Sequence, residues 1–429
     1  MNKKLLTEFK NRGYFFQCTN ENYLEKLLES KKISFYIGFD CTASSLHVGS
    51  LIQIMCLRLF QKFGHKPIVL LGGGTTMVGD PSGKEESRKI LTEEQIEKNI
   101  QQIKGIFSKF LDRENMEKVV YVNNKKWLTK LNYIDFLRTY GKHFTLNRML
   151  TFDSVKTRLE REQSLSFLEF NYMILQAYDY LELFKNNDCL LQIGGSDQWG
   201  NIVNGVDLIR KEIQGEAMGL TTPLITTAQG KKMGKTEDGA VWLNEDLVST
   251  YDYWQFWRNT DDRDVVRYLY LFTELEVEVI KSYEQYTGNQ LNELKILLAN
   301  KATTLLHGEK AAQEAEETSR STFEERSTGK DLPSKKMKKS EIEKGIALKD
   351  MLLEIQFSSS GGDFKRNMVN GAYRINNIIE TNEEKKITLT DVVNKQIKIS
   401  FGKKKTFRNK CYLIFISKKT DKSLNKPRC

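Results

Sequence analysis

The sequence contains few of the residues from which metal sites and disulfide frameworks are built. It has four histidines and six cysteines in 429 residues, and no two cysteines form a CxxC pair. No histidine stands at metal-ligand spacing from another histidine or from a cysteine. We therefore expect reduced thiols, no structural zinc and no transition-metal site.

Long apolar runs are also missing. No stretch approaches the roughly 18 consecutive apolar residues that a membrane-spanning helix needs. The first residues, MNKKLLTEFKNRGYFF, lack an apolar run that ends in a small-residue cleavage site, which argues against a secretory signal. We expect a soluble protein with a cytoplasmic location. Its length predicts two or three domains, because one core of ordinary size would be too small for it.

Positive charge is in excess. The formal net charge of +10 would allow the chain to bind a polyanion through phosphate contacts, although moderate basicity alone is weak support for that function. The distribution is more informative, because the segments GKKKTFRNK and SKKTDKSLNKPRC after Ser400 are strongly basic and nearly free of acids.

The first half of the chain alternates short apolar runs with longer helical patterns. ISFYIGF, PIVLLG, KVVYVNN and CLLQIGG are predicted strands, whereas residues 46–64 and 164–184 carry apolar residues at helical spacing. This alternation is typical of βαβ units and a parallel sheet. We predict an α/β fold with a doubly wound, Rossmann-like nucleotide-binding sheet. Helical segments at about 127–162 interrupt the alternation and are predicted to be an insertion between its halves.

The pattern changes in the second half. We predict a first domain at 1–230, a helical domain at 231–330, a polar linker at 331–345 and a small α+β domain at 346–429. The linker prediction depends on a run of charged residues with glycine and proline. No internal repeat is present.

Residues 46–50 (LHVGS), hereafter the histidine motif, follow a predicted strand and open a helix. There His47 and Gly49 would meet phosphate beside backbone N–H groups and the positive helix end. Taken alone, the motif is better described as a helix start with a chance histidine.

Residues 232–236 (KMGKT), hereafter the lysine loop, place two ammonium groups three residues apart near glycines. Mobile lysines suit the stabilisation of charge on a departing pyrophosphate, and the alternative is a solvated basic loop. A P-loop is excluded by spacing, because three residues rather than four separate Gly230 from Gly234. Gly79 and Gly83 have the same short spacing, and Glu85 replaces the required Ser or Thr.

Together these motifs resemble those of class I aminoacyl-tRNA synthetases. Within that class, five ordered blocks are similar to the bacterial tyrosyl-tRNA synthetase family: YIGFDCTASSLHVGS, GGGTTMVGDPSGK, FNYMILQAYDY, LQIGGSDQWGN and GLTTPLITTAQGKKMGKT. The resemblance covers roughly residues 1–330 densely. More loosely, SSSGGDFKRNMVNGAYRINN looks like the small ribosomal-protein-type RNA-binding module that ends bacterial members. The four regions would then be a catalytic domain, an anticodon-side helical domain, a linker and an RNA-binding domain.

The resemblance implies a tyrosine site. Tyr172, Gln176 and Asp179 lie at i, i+4 and i+7 and so share one helix face; without the resemblance this stripe would be interpreted as core or solvated edge. Buried polar groups that meet the phenol hydroxyl would allow the site to reject phenylalanine. By resemblance, Tyr36 and Asp179 would hold the phenol, and the α-ammonium end would be held by Tyr172, Gln176, Asp80 and Gln198.

The resemblance also implies an ATP site. Its first half would be lined by Gly38, Asp40, Thr42, His47, Gly49 and Ser50, and Gly195 and Asp197 would meet the ribose. Stabilisation of the leaving pyrophosphate is expected from Lys84, Arg88, Lys232, Lys235 and Thr236. Lys84 and Arg88 are also spaced to pair with surface acids.

Two positions and one segment depart from the family pattern. Ser50 stands where many class members have a second histidine, and Gly234 stands where serine is common. The RNA-binding module lacks the usual glutamate-alanine-arginine-arginine run and offers Lys365, Arg366, Tyr373 and Arg374 instead.

The implied reaction is in-line attack of the tyrosine carboxylate on the α-phosphorus of ATP, followed by transfer of tyrosine to the 3′ end of tRNA(Tyr). Positioning and electrostatics would supply the acceleration. Mg²⁺ would accompany ATP rather than occupy a protein cage. The resemblance further implies a homodimer formed through the 127–162 insertion. Two alternatives are a tryptophanyl enzyme, which has no use for a carboxylate at Asp179, and an RNA-binding protein on the same scaffold without charging activity.

Overall fold

The protein is described by a computed structural model that covers residues 4–81, 91–111, 117–230, 233–236, 239–323, 334–376, 378–393, 396–402 and 410–417. Within these ranges the backbone alone is described at 153–154, 235–236, 321–323, 334–336, 338, 410–413 and 415–417. The chain forms two compact units, Met1–Glu309 and Lys310–Cys429.

The first unit contains fourteen helices and eight strands among its described residues. The helices are α1 (Leu5–Asn11), α2 (Glu21–Ser30), α3 (Leu51–Lys62), α4 (Glu93–Leu111), α5 (Lys125–Leu128), α6 (Tyr133–Thr139), α7 (Leu146–Met149), α8 (Asp153–Glu160), α9 (Phe167–Asn187), α10 (Trp199–Ile213), α11 (Thr250–Arg258), α12 (Val265–Phe272), α13 (Val277–Ser282) and α14 (Asn289–His307). The strands are β1 (Gln17–Cys18), β2 (Ser34–Phe39), β3 (Lys66–Leu71), β4 (Val120–Asn123), β5 (Cys189–Gly195), β6 (Met218–Thr222), β7 (Lys235–Thr236) and β8 (Gly239–Ala240).

Six of these strands form one sheet in the order β1-β6-β5-β2-β3-β4. All neighbours run parallel except β1 and β6, which are antiparallel. From β2 the chain proceeds outwards through β3 to β4, and β5 then pairs with the other side of β2. The strand order therefore reverses between β2 and β5. In doubly wound folds such a switch point opens a ligand crevice at the carboxyl ends of the strands.

Helix α9 is the long helix that brings functional side chains to this crevice. It begins with a capping box, in which the Ser166 Oγ accepts from the Glu169 N–H at 3.2 Å and the Glu169 carboxylate accepts from the Ser166 N–H at 3.1 Å. It ends at Asp188, whose φ of 50° is left-handed. One face of α9 packs into a core that it shares with β2, β3 and α10. The helix is thus anchored at its start and along its length.

The second unit has its own core. Its elements are α15 (Glu309–Phe323), which begins at the boundary, α16 (Lys339–Glu343), α17 (Leu348–Glu354), α18 (Gly361–Val369), β9 (Ser334–Lys338), β10 (Ile346–Ala347), β11 (Tyr373–Ile375), β12 (Ile378–Ile379), β13 (Lys386–Ile387), β14 (Gln396–Phe401) and β15 (Lys410–Ser417). Five strands form a sheet in the order β12-β11-β14-β15-β9. Apolar side chains from α17, α18 and this sheet form the core.

The chain divides differently from the sequence-based boundaries. The segment predicted as a linker, 331–345, contains β9, which pairs in parallel with β15, and α16, whose Ile342 lies in the core of the second unit. The local sequence does not predict this structure, because the residues that stabilise it, such as β15, lie far away along the chain. The helical region predicted at 231–330 is likewise divided, since the units separate after Glu309. Among the described helices none has the length and apolarity needed to cross a bilayer.

Candidate active site

The crevice at the switch point gathers residues from both halves of the sheet. Tyr36 on β2 and Gln192 on β5 are directly paired in register. Both strands then end within the crevice region, β2 at Phe39 and β5 at Gly195. Of the predicted ATP-site residues, Gly38 is the last but one residue of β2 and Asp40 directly follows the strand, while Gly195 ends β5 and Asp197 lies two residues beyond it.

Asp179 is the most buried carboxylate of the predicted set. It is 1% exposed, and its two oxygens accept hydrogen bonds from the Trp127 Nε1–H at 2.7 Å and from the Asn124 amide at 2.8 Å. Burial raises the pKa of Asp179 from its ordinary value of 3.8 to about 7. The two hydrogen-bond donors lower this pKa, whereas the nearby acids Asp40 and Glu182 raise it. Burial is the largest of these effects.

Three buried polar atoms on β2, β5 and α9 have no hydrogen-bond partner among the described residues. They are the Tyr36 hydroxyl, the Gln176 Oε1 and the Gln192 Oε1. Burial raises the pKa of the Tyr36 hydroxyl well above its ordinary value, with Asp179 as a second cause. Orphaned polar atoms are costly in a protein interior unless a ligand or water satisfies them. The unpartnered Tyr36 hydroxyl, which lies close enough to Asp179 to be influenced by its charge, therefore fits a ligand that carries a polar group.

A second network connects the predicted tyrosine and ATP sites. The Tyr172 hydroxyl donates to the Asp40 carboxylate at 3.0 Å, and the Thr75 hydroxyl donates to the other Asp40 oxygen at 2.8 Å. The Asn124 amide that binds Asp179 also donates to Thr75 Oγ1 at 3.0 Å. Asp40 and Asp179 are thus joined through Thr75 and Asn124.

The remaining predicted tyrosine-site residues form a pair. The Gln198 amide donates to the buried Asp80 carboxylate at 2.9 Å. Asn201 on the first turn of α10 donates to the Gln198 Oε1 at 3.0 Å. This pair brings the loop after β3 next to the start of α10. The structure thus places Asp80 and Gln198 together, as expected if they serve one end of a ligand.

The histidine motif forms a tight turn at the start of α3. His47 caps this turn, with its Nδ1 accepting from the Gly49 N–H at 3.0 Å. Ser50 occupies the N-cap of α3 without a side-chain capping bond. Thr42 lies exposed in the loop between β2 and this turn.

Several predicted residues cannot be placed. Lys84, Arg88 and Lys232 lie outside the described residues. Lys235 and Thr236 are described by their backbone, which pairs with Ala240 and Gly239 as the two-strand ladder β7 and β8. Their roles at pyrophosphate stay predictions.

Three residues of the site were missed by sequence reasoning. Trp127 was assigned to the insertion and Asn124 to the end of a strand, yet both bind Asp179. Gln192 was considered only as part of a strand. A usable signal existed for Asn124, because it directly follows β4 and parallel strands present their carboxyl ends to the crevice.

A separate cavity of about 110 Å³ lies elsewhere in the first unit. It is lined by His143, Phe144, Thr145, Arg148, Met149, Asn204, Asp207, Leu208 and Lys211. None of these residues was predicted to bind tyrosine or ATP, and the hydrogen-bond networks above do not include them. The crevice is therefore identified by its chemistry and topology rather than by its volume.

In the second unit, two of the four residues expected to contact RNA have exposed side chains and two are used within the fold. Tyr373 is fully buried against Phe364 and Phe401, and the Arg374 guanidinium donates to the Gly402 carbonyl at 2.8 Å. Both are used within the fold. Lys365 and Arg366 pair with Glu383 and Asp363, but their side chains remain 69% and 73% exposed.

The chain is similar to proteins of known function over most of its length. Residues 28–324 match the family model of class I tRNA synthetases for W and Y. The tyrosine–tRNA ligase of Pelagibacter ubique is 57% identical over 403 residues, which are 94% of this chain and 98% of that protein. The corresponding ligase of Rhodospirillum rubrum is 51% identical, with coverage of 94% and 96%.

Solved structures agree with these sequence matches. A C-terminally truncated mitochondrial tyrosyl-tRNA synthetase from Aspergillus nidulans has a TM-score of 0.67 and 29% identity over 75% of this chain and 95% of that one. The family match spans more than half of the chain and the bacterial relatives cover nearly all of it. The chain therefore belongs to the class I tRNA synthetases, in the group that contains the tryptophan and tyrosine enzymes.

Proposed function

We propose that this chain, a tyrosine–tRNA ligase, binds and activates tyrosine in the crevice between β2 and β5. The observation that carries this assignment is a buried carboxylate, Asp179, with the orphaned Tyr36 hydroxyl nearby in the same region. The phenol hydroxyl of the bound substrate can donate a hydrogen bond to the Asp179 carboxylate and accept one from the Tyr36 hydroxyl. Phenylalanine would leave the buried Tyr36 hydroxyl without a partner and would offer Asp179 no hydrogen bond beyond those of Trp127 and Asn124, which is why it is rejected.

The ammonium end of tyrosine is assigned to the polar residues beyond the phenol site. The Tyr172 hydroxyl donates to the Asp40 carboxylate and the Gln198 amide donates to the Asp80 carboxylate, whereas the Gln176 Oε1 has no hydrogen-bond partner among the described residues. An ammonium donates up to three hydrogen bonds and has no acceptor. The carboxylates and the Gln176 Oε1 supply acceptors of the required kind.

Adenylate formation needs charge stabilisation rather than a covalent nucleophile. The tyrosine carboxylate attacks the α-phosphorus of ATP, and negative charge grows on the leaving pyrophosphate. The histidine motif offers a helix start to the phosphates. Lys84, Arg88, Lys232, Lys235 and Thr236 supply the cations and hydroxyl, and Mg²⁺ enters as part of the ATP substrate.

Transfer to tRNA(Tyr) involves the rest of the protein. We assign RNA binding to the second unit, where Lys365 and Arg366 remain exposed. We further propose a homodimer formed through the insertion at 127–162 and a cytoplasmic location. The insertion and the start of α9 carry exposed large apolar side chains, which mark protein interfaces when they cluster.

The tyrosine assignment is tested by Asp179→Ala with Glu182→Ala as its matched control. Glu182 is a carboxylate one turn further along α9 and is partly exposed. Loss of the Asp179 hydrogen bond to the phenol should slow tyrosine activation by roughly tenfold to a hundredfold, the equivalent of about 1.5–3 kcal/mol. Glu182→Ala should stay close to the parent. The measurement is ATP–pyrophosphate exchange with each of the twenty amino acids.

Each part of this experiment has a distinct meaning. The parent should exchange with tyrosine alone, and exchange with tryptophan instead would refute the tyrosine function. Asp179→Ala with undiminished tyrosine exchange would refute the pocket assignment while leaving the function in place.

A further inference from the structure

Residues 241–243 form backbone hydrogen bonds with the histidine motif and with Gly234 of the lysine loop. The Val48 N–H donates to the Val241 carbonyl at 2.9 Å, and the Leu243 N–H donates to the Leu46 carbonyl at 2.9 Å. The Val241 N–H in turn donates to the Gly234 carbonyl at 3.0 Å. Residues 241–243 therefore form a bridge that connects the two motifs.

Gly234 is the point at which the two motifs touch. A β-carbon built on Gly234 would lie 2.7 Å from the backbone nitrogen of Gly49 and 3.1 Å from the His47 Nδ1. The closeness is mutual, because a β-carbon on Gly49 would lie 2.9 Å from the Met233 carbonyl oxygen. Gly234 also has a φ of +80°, which side chains other than glycine adopt at a cost.

The Gly49 backbone, which a side chain at position 234 would contact, is held in place by hydrogen bonds. The Gly49 nitrogen donates to the His47 Nδ1 at 3.0 Å, and this bond caps the turn that opens α3. His47 also forms an isolated β-bridge with Trp242. The Gly49 backbone can therefore yield to a new side chain only if the capping bond or the bridge is disturbed.

We propose that Gly234 is a positioning residue for adenylate formation. Its missing side chain allows the lysine loop to rest against Gly49, and this contact sets the place of Lys235, the next residue along the backbone. A methyl or hydroxymethyl group at position 234 pushes the loop away from the histidine motif. The inference rests on the function proposed for the lysine loop at the leaving pyrophosphate.

Gly230 provides a matched control within the same segment. Its φ is +78°, nearly the value at Gly234, but no atom of the described residues lies within 4 Å of a β-carbon built there. Gly230→Ala therefore introduces the backbone strain of a left-handed alanine without the contact with Gly49. Comparison of Gly234→Ala with Gly230→Ala separates these two effects.

The experiment measures adenylate formation by stopped flow over a range of ATP concentrations in the full chain. Gly234→Ala and Gly234→Ser should form adenylate about tenfold or more slowly, because a displaced loop lowers stabilisation of the transition state rather than substrate binding. Their dissociation constant for tyrosine should stay within about twofold of the parent, since the pocket is untouched. Gly230→Ala should match the parent within about threefold in both quantities.

A second measurement does not depend on activity. Limited trypsin digestion with mass spectrometry reports cleavage within 231–236. Cleavage there should be faster in Gly234→Ala than in the parent and in Gly230→Ala, because the displaced loop is more accessible.

Three outcomes would overturn the inference. Gly230→Ala as slow as Gly234→Ala would attribute the effect to backbone strain. Weaker tyrosine binding equal to the loss of rate would place the effect in the pocket. Unchanged cleavage in Gly234→Ala would contradict displacement of the loop. A parent chain that forms no tyrosyl-adenylate would instead refute the proposed function, whatever the variants do.

Discussion

The raised pKa of Asp179 affects the stability of the folded protein as well as tyrosine recognition. Burial raises its pKa to about 7 although the amide of Asn124 and the indole of Trp127 both stabilise the ionised form. The unfolded chain loses this proton near pH 4, where an ordinary aspartate titrates. Between these two values folding takes up a proton, so the contribution of Asp179 to stability falls as the pH rises. Below about pH 4 that contribution is fully present, and it is lost by about pH 7.

Asp179→Asn should remove this pH dependence. The free energy of unfolding of the parent should fall relative to that of the variant between about pH 4 and 7, at up to about 1.4 kcal/mol per pH unit, and the difference should be constant above that range. Denaturant unfolding at closely spaced pH values measures the difference. Asp135→Asn, an exposed position on α6, controls for the loss of a carboxylate as such. Identical pH profiles in the parent and Asp179→Asn would contradict the assigned burial effect.

At the same scale, the sequence predicts some side chains of the site and not others. Tyr172, Gln176 and Asp179 were assigned to the tyrosine site by the family resemblance, and helical spacing alone showed only that they share one face. Asn124 and Trp127 were not assigned to it, because they reach Asp179 from 55 and 52 residues away along the chain. No local pattern encodes a hydrogen bond of that sequence separation. The orphaned Gln192 was hidden in the same way, within an otherwise apolar strand.

At the scale of elements, strands with strong apolar runs were predicted and weak ones were not. The four predicted strands correspond to β2, β3, β4 and β5. β6 has the sequence MGLTT, and β1 has two residues, so neither carries a distinctive pattern. β9 is SKKMK and has the composition of a linker. It is a strand because β15 supplies its hydrogen-bond partners, which is a tertiary effect on local propensity.

The pairing of β9 with β15 decides where the chain can be shortened. A chain that ends at Phe323 loses the whole sheet of the second unit, whereas one that ends at Lys339 keeps β9 and loses its partner β15. We predict that the shorter chain forms tyrosyl-adenylate at the rate of the full chain. A C-terminally truncated relative has the same architecture. Charging of tRNA should fall about tenfold or more at physiological salt, because phosphate contacts dominate such binding. Single-turnover adenylate formation and tRNA charging measure the two steps.

Two further chains complete that experiment. The chain that ends at Lys339 should aggregate more readily, since an unpaired strand edge is exposed. In the full chain, Lys365→Ala with Arg366→Ala should weaken charging and reduce its salt dependence. Normal charging by the chain that ends at Phe323 would refute the RNA role of the second unit.

At the scale of the whole molecule, the first unit exposes several large apolar side chains within one stretch of the sequence. Large apolar side chains that are 43–70% exposed occur at several positions between 133 and 168: Tyr133, Ile134, Leu146, Leu150, Leu159, Phe167 and Leu168. They fall in and just after the insertion that the family resemblance assigned to the dimer interface. A stable interface buries about 800 Å² on each partner, and apolar groups are enriched at its centre.

Charge placed in this segment should therefore dissociate the proposed dimer. Leu146→Asp and Phe167→Asp each bury an unpaired carboxylate if the interface forms, at a cost of about 3–5 kcal/mol, so the dimer dissociation constant should rise a hundredfold or more. Leu247→Asp is the matched control, because Leu247 is similarly exposed but lies outside the segment. Sedimentation equilibrium over a range of protein concentrations measures the constant. If Leu146→Asp and Phe167→Asp remain as dimeric as Leu247→Asp, these side chains face solvent in the assembled protein. The dimer must then form through another surface of the first unit or through the second unit.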